Sequence, residues 1–100
     1  VIAHMHANCQ QSLSVSDFAR MCDLSEHHFI HLFHEYTGEA PYAYLTRLRL
    51  EKAKDLMVST TLIISEIAAA VGYPNPLYFS RLFRRHMGVP PSQFRKAMGN

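Results

Sequence analysis

The sequence predicts an all-α fold in which a unit of helix, tight turn and helix occurs twice. The first observation is an internal repeat, because segment 24–44 recurs fifty residues later in segment 72–94. The second is that the N-caps of the third and sixth helices and the glycines that end these helices fall at matched places in the two copies, while no segment alternates as a strand does. The repeated pairs are Phe29 and Phe79, Leu32 and Leu82, Phe33 and Phe83, Gly38 and Gly88, Pro41 and Pro91, and Tyr44 and Phe94. We therefore expect seven helices that form two helix-turn-helix subdomains joined by a long linker helix.

A short helix precedes the first copy. Residues 1–8 are predicted to be its last turns, with the beginning of the helix missing, and residues 10–12 are a polar break. The second helix begins after Ser14, because Ser14 and Asp17 have the spacing of a capping box. Its apolar positions follow helical periodicity at Val15, Phe18, Ala19 and Cys22.

The third helix is the second half of the first copy. A turn at residues 22–24 leads into it, and Asp23 tolerates the left-handed conformation that such a turn requires. Ser25 is the expected N-cap, and the helix runs to Thr37 and stops at Gly38. Its predicted core face consists of Phe29, Leu32, Phe33 and Tyr36.

A long fourth helix joins the two copies. It begins at Pro41, a residue favoured at the first helical position, and runs to about Val58. Its buried stripe is predicted to contain Tyr44, Leu45, Leu48, Ala53, Leu56 and Met57, with Arg47, Glu51, Lys54 and Asp55 on the outside.

The second copy repeats the arrangement with two differences. The fifth helix, with Ile64, Ile67, Ala68 and Val71 inward, is offset by forty-nine residues, because one residue has been added at Pro74. Ile63 stands where the first copy has its capping serine, so a side-chain cap worth roughly 1 kcal/mol is lost. Asn75 caps the sixth helix, Gly88 ends it, and residues 91–98 form the seventh.

Composition limits the classes of protein. One hundred residues suffice for one domain, and 48% apolar content without low-complexity runs argues against disorder. The longest apolar stretch, residues 62–71, is interrupted by Ser65 and Glu66 and is too short to span a bilayer, so we expect a soluble cytoplasmic chain with no membrane partner. Cys9 and Cys22 have no second pair for a zinc site and are interpreted as reduced thiols.

Charge is distributed unevenly along the chain. Residues 1–50 have a net charge of −2 and residues 51–100 a net charge of +4. A cationic half suggests an anionic partner, although a solvated helical face has the same composition.

The faces opposite the predicted core are the candidate functional surfaces. In a helix-turn-helix the second helix can enter the DNA major groove. Arg can donate to both guanine acceptors, His and Ser can donate or accept, and an exposed Ile or Leu can contact a thymine methyl. The outward positions are His27, Ile30, His31 and His34 in the first copy and Leu77, Ser80, Arg81 and Arg84 in the second.

Over essentially its full length the chain resembles the DNA-binding domain of the AraC/XylS transcription regulators. The residues that carry the resemblance are Ile67-Ala68, Val71-Gly72-Tyr73, Tyr78 to Arg84, Gly88 and Pro91 to Phe94, with 47–57 similar to the linker helix of the family. The resemblance implies a bacterial transcription factor with a first subdomain at 1–40, a linker helix at 41–58 and a second subdomain at 59–100. It implies that helices 25–37 and 75–87 read two successive major grooves of a double-stranded DNA operator. It also implies RNA polymerase as a partner, no cofactor, a monomeric fragment of a possible dimer, and an effector domain that precedes residue 1.

The resemblance also assigns roles to individual positions. It places base reading at His27, Ile30 and His31 in the third helix and at Leu77, Ser80 and Arg81 in the sixth. Arg84 and His34 match positions near phosphates. Histidines stand where more strongly basic or amide residues are common in the family.

Three other functions are weighed against DNA binding. A helical protein-interaction module would use Ile30 and Leu77 as anchors for a partner helix. A metal site could form at His27 and His31, four residues apart with His34 nearby, but no carboxylate or thiolate companion is evident. An enzyme is not expected, because no nucleophile, base and orienting residue recur in a recognisable order.

Overall fold

The computed structural model describes residues 2–9 and 14–98, and within these ranges it contains helices and no strand. The helices are α1 (Ile2–Asn8), α2 (Val15–Met21), α3 (Glu26–Thr37), α4 (Pro41–Ser59), α5 (Ile64–Ala70), α6 (Pro76–Met87) and α7 (Pro91–Met98). The prediction of an all-α fold with seven helices is confirmed. Val1 and the predicted polar break at residues 10–12 lie outside the described residues.

The predicted helix caps form as hydrogen bonds. Ser14 Oγ accepts from the Asp17 backbone N–H at 3.2 Å, and the Ser14 N–H donates to Asp17 Oδ2 at 3.0 Å, completing the capping box. Ser25 Oγ accepts from the N–H of His28 at 3.2 Å. Asn75 Oδ1 accepts from the N–H of Leu77 at 3.0 Å. The starts of α2, α3 and α6 are therefore set by local sequence.

The start of α5 shows how the loss of a cap is partly offset. Ile63 provides no side-chain cap, as predicted. Glu66 Oε1 nevertheless accepts from the Ile63 backbone N–H at 3.0 Å, so the second half of a capping box is retained. This hydrogen bond was not predicted.

The two turns of the repeat share a left-handed residue. Asp23 has φ 58° after α2, and Gly72 has φ 100° after α5. A residue with positive φ is rarely anything but glycine, aspartate or asparagine, which explains the residue types at these equivalent positions.

The structure divides into two compact units, residues 1–48 and 49–100, with the boundary inside α4. The buried core of the first unit contains Met5, Phe18, Ala19, Phe29 and Phe33. The buried core of the second contains Leu50, Ala53, Met57, Ile67, Ala68, Val71, Tyr73, Phe79, Leu82 and Phe83. No helix in the described ranges is long and apolar enough to cross a membrane.

Aromatic packing is repeated inside each unit. In the first, the ring centroids of Phe29 and Phe33 lie 5.6 Å apart, and Tyr44 meets Phe33 edge-on at 5.3 Å. In the second, Phe79 and Phe83 lie 5.9 Å apart, and Phe94 meets Phe83 edge-on at 5.5 Å. The sequence repeat is therefore also a repeat of side-chain packing.

Two predicted core residues of α3 are exposed. Leu32 is 41% exposed and Tyr36 is 88% exposed, so their assignment to the core face was wrong. The equivalent of Leu32 in the second unit, Leu82, is only 9% exposed. Helical periodicity identifies the face that points towards the core, but burial also requires a neighbouring element that covers that face.

The buried stripe of α4 is largely as predicted. Leu45, Ala53 and Met57 are buried, while Tyr44, Leu48 and Leu56 are partly buried. The fully buried Leu50 was missed.

Candidate nucleic-acid interface

The first candidate surface is the outward side of α3. Phe29 and Phe33 are 3% and 6% exposed and turn one side of the helix towards the core of the first unit. Residues three or four positions apart share a face of a helix, so a separate set of side chains points outward. His27, Ile30, His31 and His34 are all exposed.

A carboxylate contacts one of these histidines. His31 Nε2 is 3.2 Å from Glu35 Oε1, and both side chains are largely exposed. Glu35 was not singled out from the sequence, although the spacing of four residues on one helix could have identified it. The carboxylate reduces the positive potential that α3 presents to an anionic ligand.

The second candidate surface is the outward side of α6. Phe79, Leu82 and Phe83 are buried and hold the helix against the second core. On the other side Leu77 is 70% exposed, and Arg81 and Arg84 are exposed as well. Ser80 is only partly exposed, which makes it the least accessible of the predicted contact residues on this helix.

The arginines of this surface are available to a ligand. Within the described part of the chain, no hydrogen bond or ion pair engages the side chain of Arg81 or Arg84. Arg85 follows directly and is also exposed; it was not predicted as a contact residue, although two consecutive arginines on one helix are visible in the sequence. A guanidinium offers five N–H donors in a planar fork, so α6 carries unused donors for acceptors on a ligand.

The two units differ in charge. The first has two Lys and Arg residues against five Asp and Glu residues, a net charge of −3. The second has eight against three, a net charge of +5. Six of the seven histidines lie in the acidic unit, so its charge is the one that protonation of histidine changes most.

The histidines of α3 do not form a metal centre in the structure. Among residues 2–9 and 14–98, no group of three or more His, Cys, Asp or Glu side chains is arranged to hold a metal ion. His27 and His31 share a helix face, but a pair of exposed imidazoles lacks the further ligands that a tetrahedral site needs.

The sequence matches a known domain family and known regulators. A family model described as a helix-turn-helix domain matches residues 18–97. The lactose operon transcription activator of Staphylococcus xylosus is 34% identical over 91 residues, which cover 91% of this chain and 33% of that protein. The chain thus spans about a third of the length of the curated relatives it matches.

Solved structures share the fold. The DNA-binding domain of AdpA, in complex with a target DNA, has a TM-score of 0.92 at 26% identity, and the match covers 96% of this chain and 86% of the AdpA chain. A transcriptional regulator from Chromobacterium violaceum, described as an AraC-type DNA-binding domain-containing protein, has a TM-score of 0.88 at 30% identity. This match covers 99% of this chain and 88% of the regulator chain.

Proposed function

Because the chain belongs to the AraC/XylS family of DNA-binding domains, we propose that it binds double-stranded DNA in a sequence-specific manner as part of a transcription regulator. The observation that carries the proposal is the outward side of α6, where Arg81 and Arg84 are exposed and unengaged on a helix that a buried aromatic core holds in place. A rigid helix that presents free guanidinium groups fits the groove of a polyanion.

On α6 the proposed roles follow position. Arg81 lies in the middle of the outward face and reads a base edge in the major groove, where a guanine offers two acceptors. Leu77 contacts a thymine methyl, and Ser80 donates a hydrogen bond to a base or accepts one from it. Because Ser80 is partly buried, the base must approach the helix more closely to reach it than to reach Leu77 or Arg81. Arg84, one turn towards the C-terminal end, contacts a phosphate.

On α3 we propose that His27, Ile30 and His31 contact bases and that His34 lies near a phosphate. Because this unit carries a net charge of −3, its contribution to affinity is smaller at neutral pH than that of the second unit. The two helices then read two successive major grooves of one operator.

The proposal extends to the protein that contains this domain. A chain three times as long would have room for an effector or dimerisation domain before residue 1, as the family resemblance implies. RNA polymerase is the proposed protein partner of that regulator, and the cytoplasm is its location. The isolated domain acts as a monomer, and its role is binding without a catalytic step.

In-vitro selection of bound sequences from a random duplex library tests the proposal directly. We expect enrichment of one motif with two separated blocks of preferred bases. Fluorescence anisotropy on the selected duplex should then give a dissociation constant that rises steeply with salt. Each neutralised phosphate contributes about −0.9 to the slope of the logarithm of the association constant against the logarithm of the salt concentration.

A protein-interaction module predicts the opposite outcome. Ile30 and Leu77, 40% and 70% exposed, would then anchor a partner helix. No enriched motif and no salt-dependent binding to duplex DNA would exclude the proposed function and favour this alternative.

A further inference from the structure

An open apolar groove lies along one side of α3 in the first unit. Its volume is about 460 Å³, and the α3 side chains that line it are Phe29, Leu32, Phe33, Tyr36 and Thr37. None of the proposed DNA contacts on this helix is among the lining residues. The groove is therefore a second surface of α3, distinct from the one proposed to face DNA.

The groove exposes side chains whose counterparts in the second unit are buried. Cys22 lines the groove and is exposed, whereas its counterpart at the offset of forty-nine residues, Val71, is 0% exposed. Leu32 is 41% exposed, and its counterpart Leu82 only 9%. A contiguous exposed apolar surface with a polar rim is typical of a binding site.

Most charged side chains of the first unit are already paired. Its two Lys and Arg residues both contact a carboxylate: Arg20 lies 3.7 Å from Asp17, and Arg47 Nη2 donates to Glu39 Oε1 at 2.8 Å. A third carboxylate, that of Glu35, contacts a histidine of α3. Three of the five carboxylates in this unit therefore have a basic partner.

The other two carboxylates, Asp23 and Glu26, lie beside the groove at the start of α3. Asp23 stands in the turn between the lining residues Cys22 and Leu24. Glu26 precedes the lining residue Phe29 by three positions and so shares a side of α3 with it. Both side chains belong to exposed residues, and within the described ranges no hydrogen bond or ion pair engages either carboxylate. An apolar floor thus adjoins two unpaired negative charges.

We propose that this groove binds a cationic amphipathic helix of a partner protein. The apolar face of that helix lies against Leu32 and Tyr36, and a Lys or Arg side chain on it reaches Asp23 and Glu26. The net charge of −3 on the first unit attracts such a helix and repels an acidic one. The inference goes beyond the proposed function, because it does not depend on DNA binding.

The length and openness of the groove favour a helix over a small molecule. The lining residues of α3 extend from Phe29 to Thr37, a distance of about 12 Å along the helix. A partner helix presents anchors at i, i+3, i+4 and i+7 over nearly the same length. Tyr36 remains 88% exposed, so the groove does not enclose a small ligand as a typical pocket does.

Designed peptides test the proposal on the 100-residue chain. The probe is a fluorescein-labelled helical peptide of about 15 residues, with leucines at i, i+3, i+4 and i+7 and lysines on its other faces. One control replaces every lysine by glutamate, and a second keeps the composition but distributes the leucines around the helix. Anisotropy at pH 8, where histidines carry little charge, should show the lysine peptide binding at least about tenfold more tightly than either control.

A substitution at Tyr36 tests whether the peptide uses the apolar groove. Tyr36→Lys should weaken binding of the lysine peptide about tenfold, because it places a positive charge in the groove. Tyr42→Lys is the matched control, since it adds the same charge to the same unit at a tyrosine that is 62% exposed and does not line the groove. It should change the affinity by less than about twofold.

A second pair of variants tests the carboxylates. Asp23→Asn combined with Glu26→Gln should weaken binding of the lysine peptide about fivefold, because the two unpaired charges are removed. Asparagine also tolerates the positive φ of position 23. Glu35→Gln, which removes a paired carboxylate from the same helix, should stay within about twofold of wild type.

Alkylation of Cys22 shows whether the bound peptide lies in the groove. Cys22 lines the groove and is exposed, whereas Cys9 is buried and serves as an internal reference. A saturating concentration of the lysine peptide should slow iodoacetamide labelling of Cys22 at least about fivefold and leave Cys9 unchanged. Binding of the peptide without protection of Cys22 overturns the inference.

Other outcomes also overturn it. Equal affinity for the lysine and glutamate peptides, or equal effects of Tyr36→Lys and Tyr42→Lys, contradicts a cationic helix in this groove. Protection of Cys22 that grows with protein concentration in the absence of peptide identifies a second copy as the occupant. Equal protection by octylammonium at the concentration of the peptide identifies a small cation instead.

The inference and the proposed function fail separately. Peptide binding is measured without DNA, and anisotropy on the selected duplex is measured without peptide. Duplex binding without peptide binding leaves the proposed function intact, whereas peptide binding without duplex binding contradicts that function alone.

Discussion

Arg95 Nε donates a hydrogen bond to the main-chain oxygen of Met57 at 3.1 Å and so ties α7 to the end of α4. The other two guanidinium nitrogens donate to the carbonyl oxygens of Thr60, at 2.8 Å, and Leu62. These carbonyls belong to the last turn of α4 and the connection to α5, where no helical partner remains for them. One side chain therefore holds three elements of the second unit together.

Removing this guanidinium should destabilise the domain. Arg95→Ala leaves three partly buried carbonyls without their charged donor, and we expect a loss of about 2 kcal/mol in the free energy of unfolding by urea. Arg95→Lys keeps the charge but lacks the planar guanidinium, so it should retain only part of the stability that Arg95→Ala loses. Lys96→Ala, at the exposed neighbouring position, should stay within about 0.5 kcal/mol of wild type. An Arg95→Ala variant as stable as Lys96→Ala would contradict this account.

Local signals allowed most of the fold to be predicted. Caps at Ser14, Ser25 and Asn75 involve residues two or three positions apart, so the sequence pattern contains both partners of each hydrogen bond. The contacts of Arg95 span thirty-three to thirty-eight residues and end on main-chain atoms, which no residue pattern reveals. The exposure of Tyr36 could not be predicted either, because it depends on an element that does not cover α3 in this structure.

The outward faces of the candidate site could be predicted from the sequence, but the burial of its individual side chains could not. The outward faces of α3 and α6 follow from periodicity, because the buried phenylalanines fix which side is free. The partial burial of Ser80 depends on the tertiary packing around α6 and has no signature in the sequence. The contact of His31 with Glu35 was accessible from spacing alone and was overlooked.

The two equivalent leucines should differ in their contribution to stability. Leu82→Ala removes a buried side chain from the second core and should cost about 2 to 4 kcal/mol. Leu32→Ala, at 41% exposure, should cost less than about 1 kcal/mol in the 100-residue domain. Urea unfolding followed by circular dichroism measures both. Equal losses would mean that Leu32 is covered in solution by something absent from this structure.

Acid should weaken the N-terminal cap of α2. The Ser14 backbone N–H and then its hydroxyl hydrogen-bond the Asp17 carboxylate and lower its pKa, with a smaller contribution from Arg20. A depressed pKa in the folded state stabilises the domain above the unfolded value of about 3.9, and this contribution disappears as the pH falls through the folded value. Unfolding midpoints measured from pH 6 to pH 2 should therefore fall less steeply for Asp17→Asn than for wild type. If the unfolding midpoints of wild type and Asp17→Asn fell equally between pH 6 and pH 2, this role for Asp17 would be ruled out.

The two arginines of α6 should give different mutant phenotypes. Arg81→Ala should cost roughly 1 to 3 kcal/mol on the selected duplex and relax the preference at one base pair. Arg84→Ala should weaken binding to specific and random duplexes alike and reduce the salt slope by about one. Anisotropy titrations on both duplexes at several salt concentrations make the comparison. If Arg81→Ala lost equal affinity on the two duplexes, Arg81 would not be a base reader.

DNA binding should strengthen as pH falls from 8 to 6 if, as we propose, the exposed side chains of His27, His31 and His34 on α3 face the DNA. An unperturbed imidazole has a pKa of about 6.5, and a neighbouring phosphate favours its protonated form, so proton uptake accompanies binding. A group with a higher pKa in the complex binds more tightly below that pKa, and the gain fades as pH rises through it. Glu35 beside His31, and repulsion among the imidazoles themselves, limit how many protons are taken up. We expect a gain of roughly three- to tenfold in affinity, equivalent to at most about one proton.

The test compares anisotropy at pH 6 and pH 8 at fixed ionic strength. The double variant His31→Gln and His34→Gln should have a flatter profile, because glutamine retains hydrogen-bonding groups but cannot become charged. His28→Gln is the matched control on the same helix, since His28 lies beside the buried Phe29 and off the proposed contact face; its profile should follow wild type. The second unit supplies positive charge at both pH values through arginine and lysine, which do not titrate in this range, so a pH dependence that the double variant removes must arise on α3. A flat wild-type profile, or an unchanged slope in the double variant, would show that these histidines do not lie near phosphate in the complex.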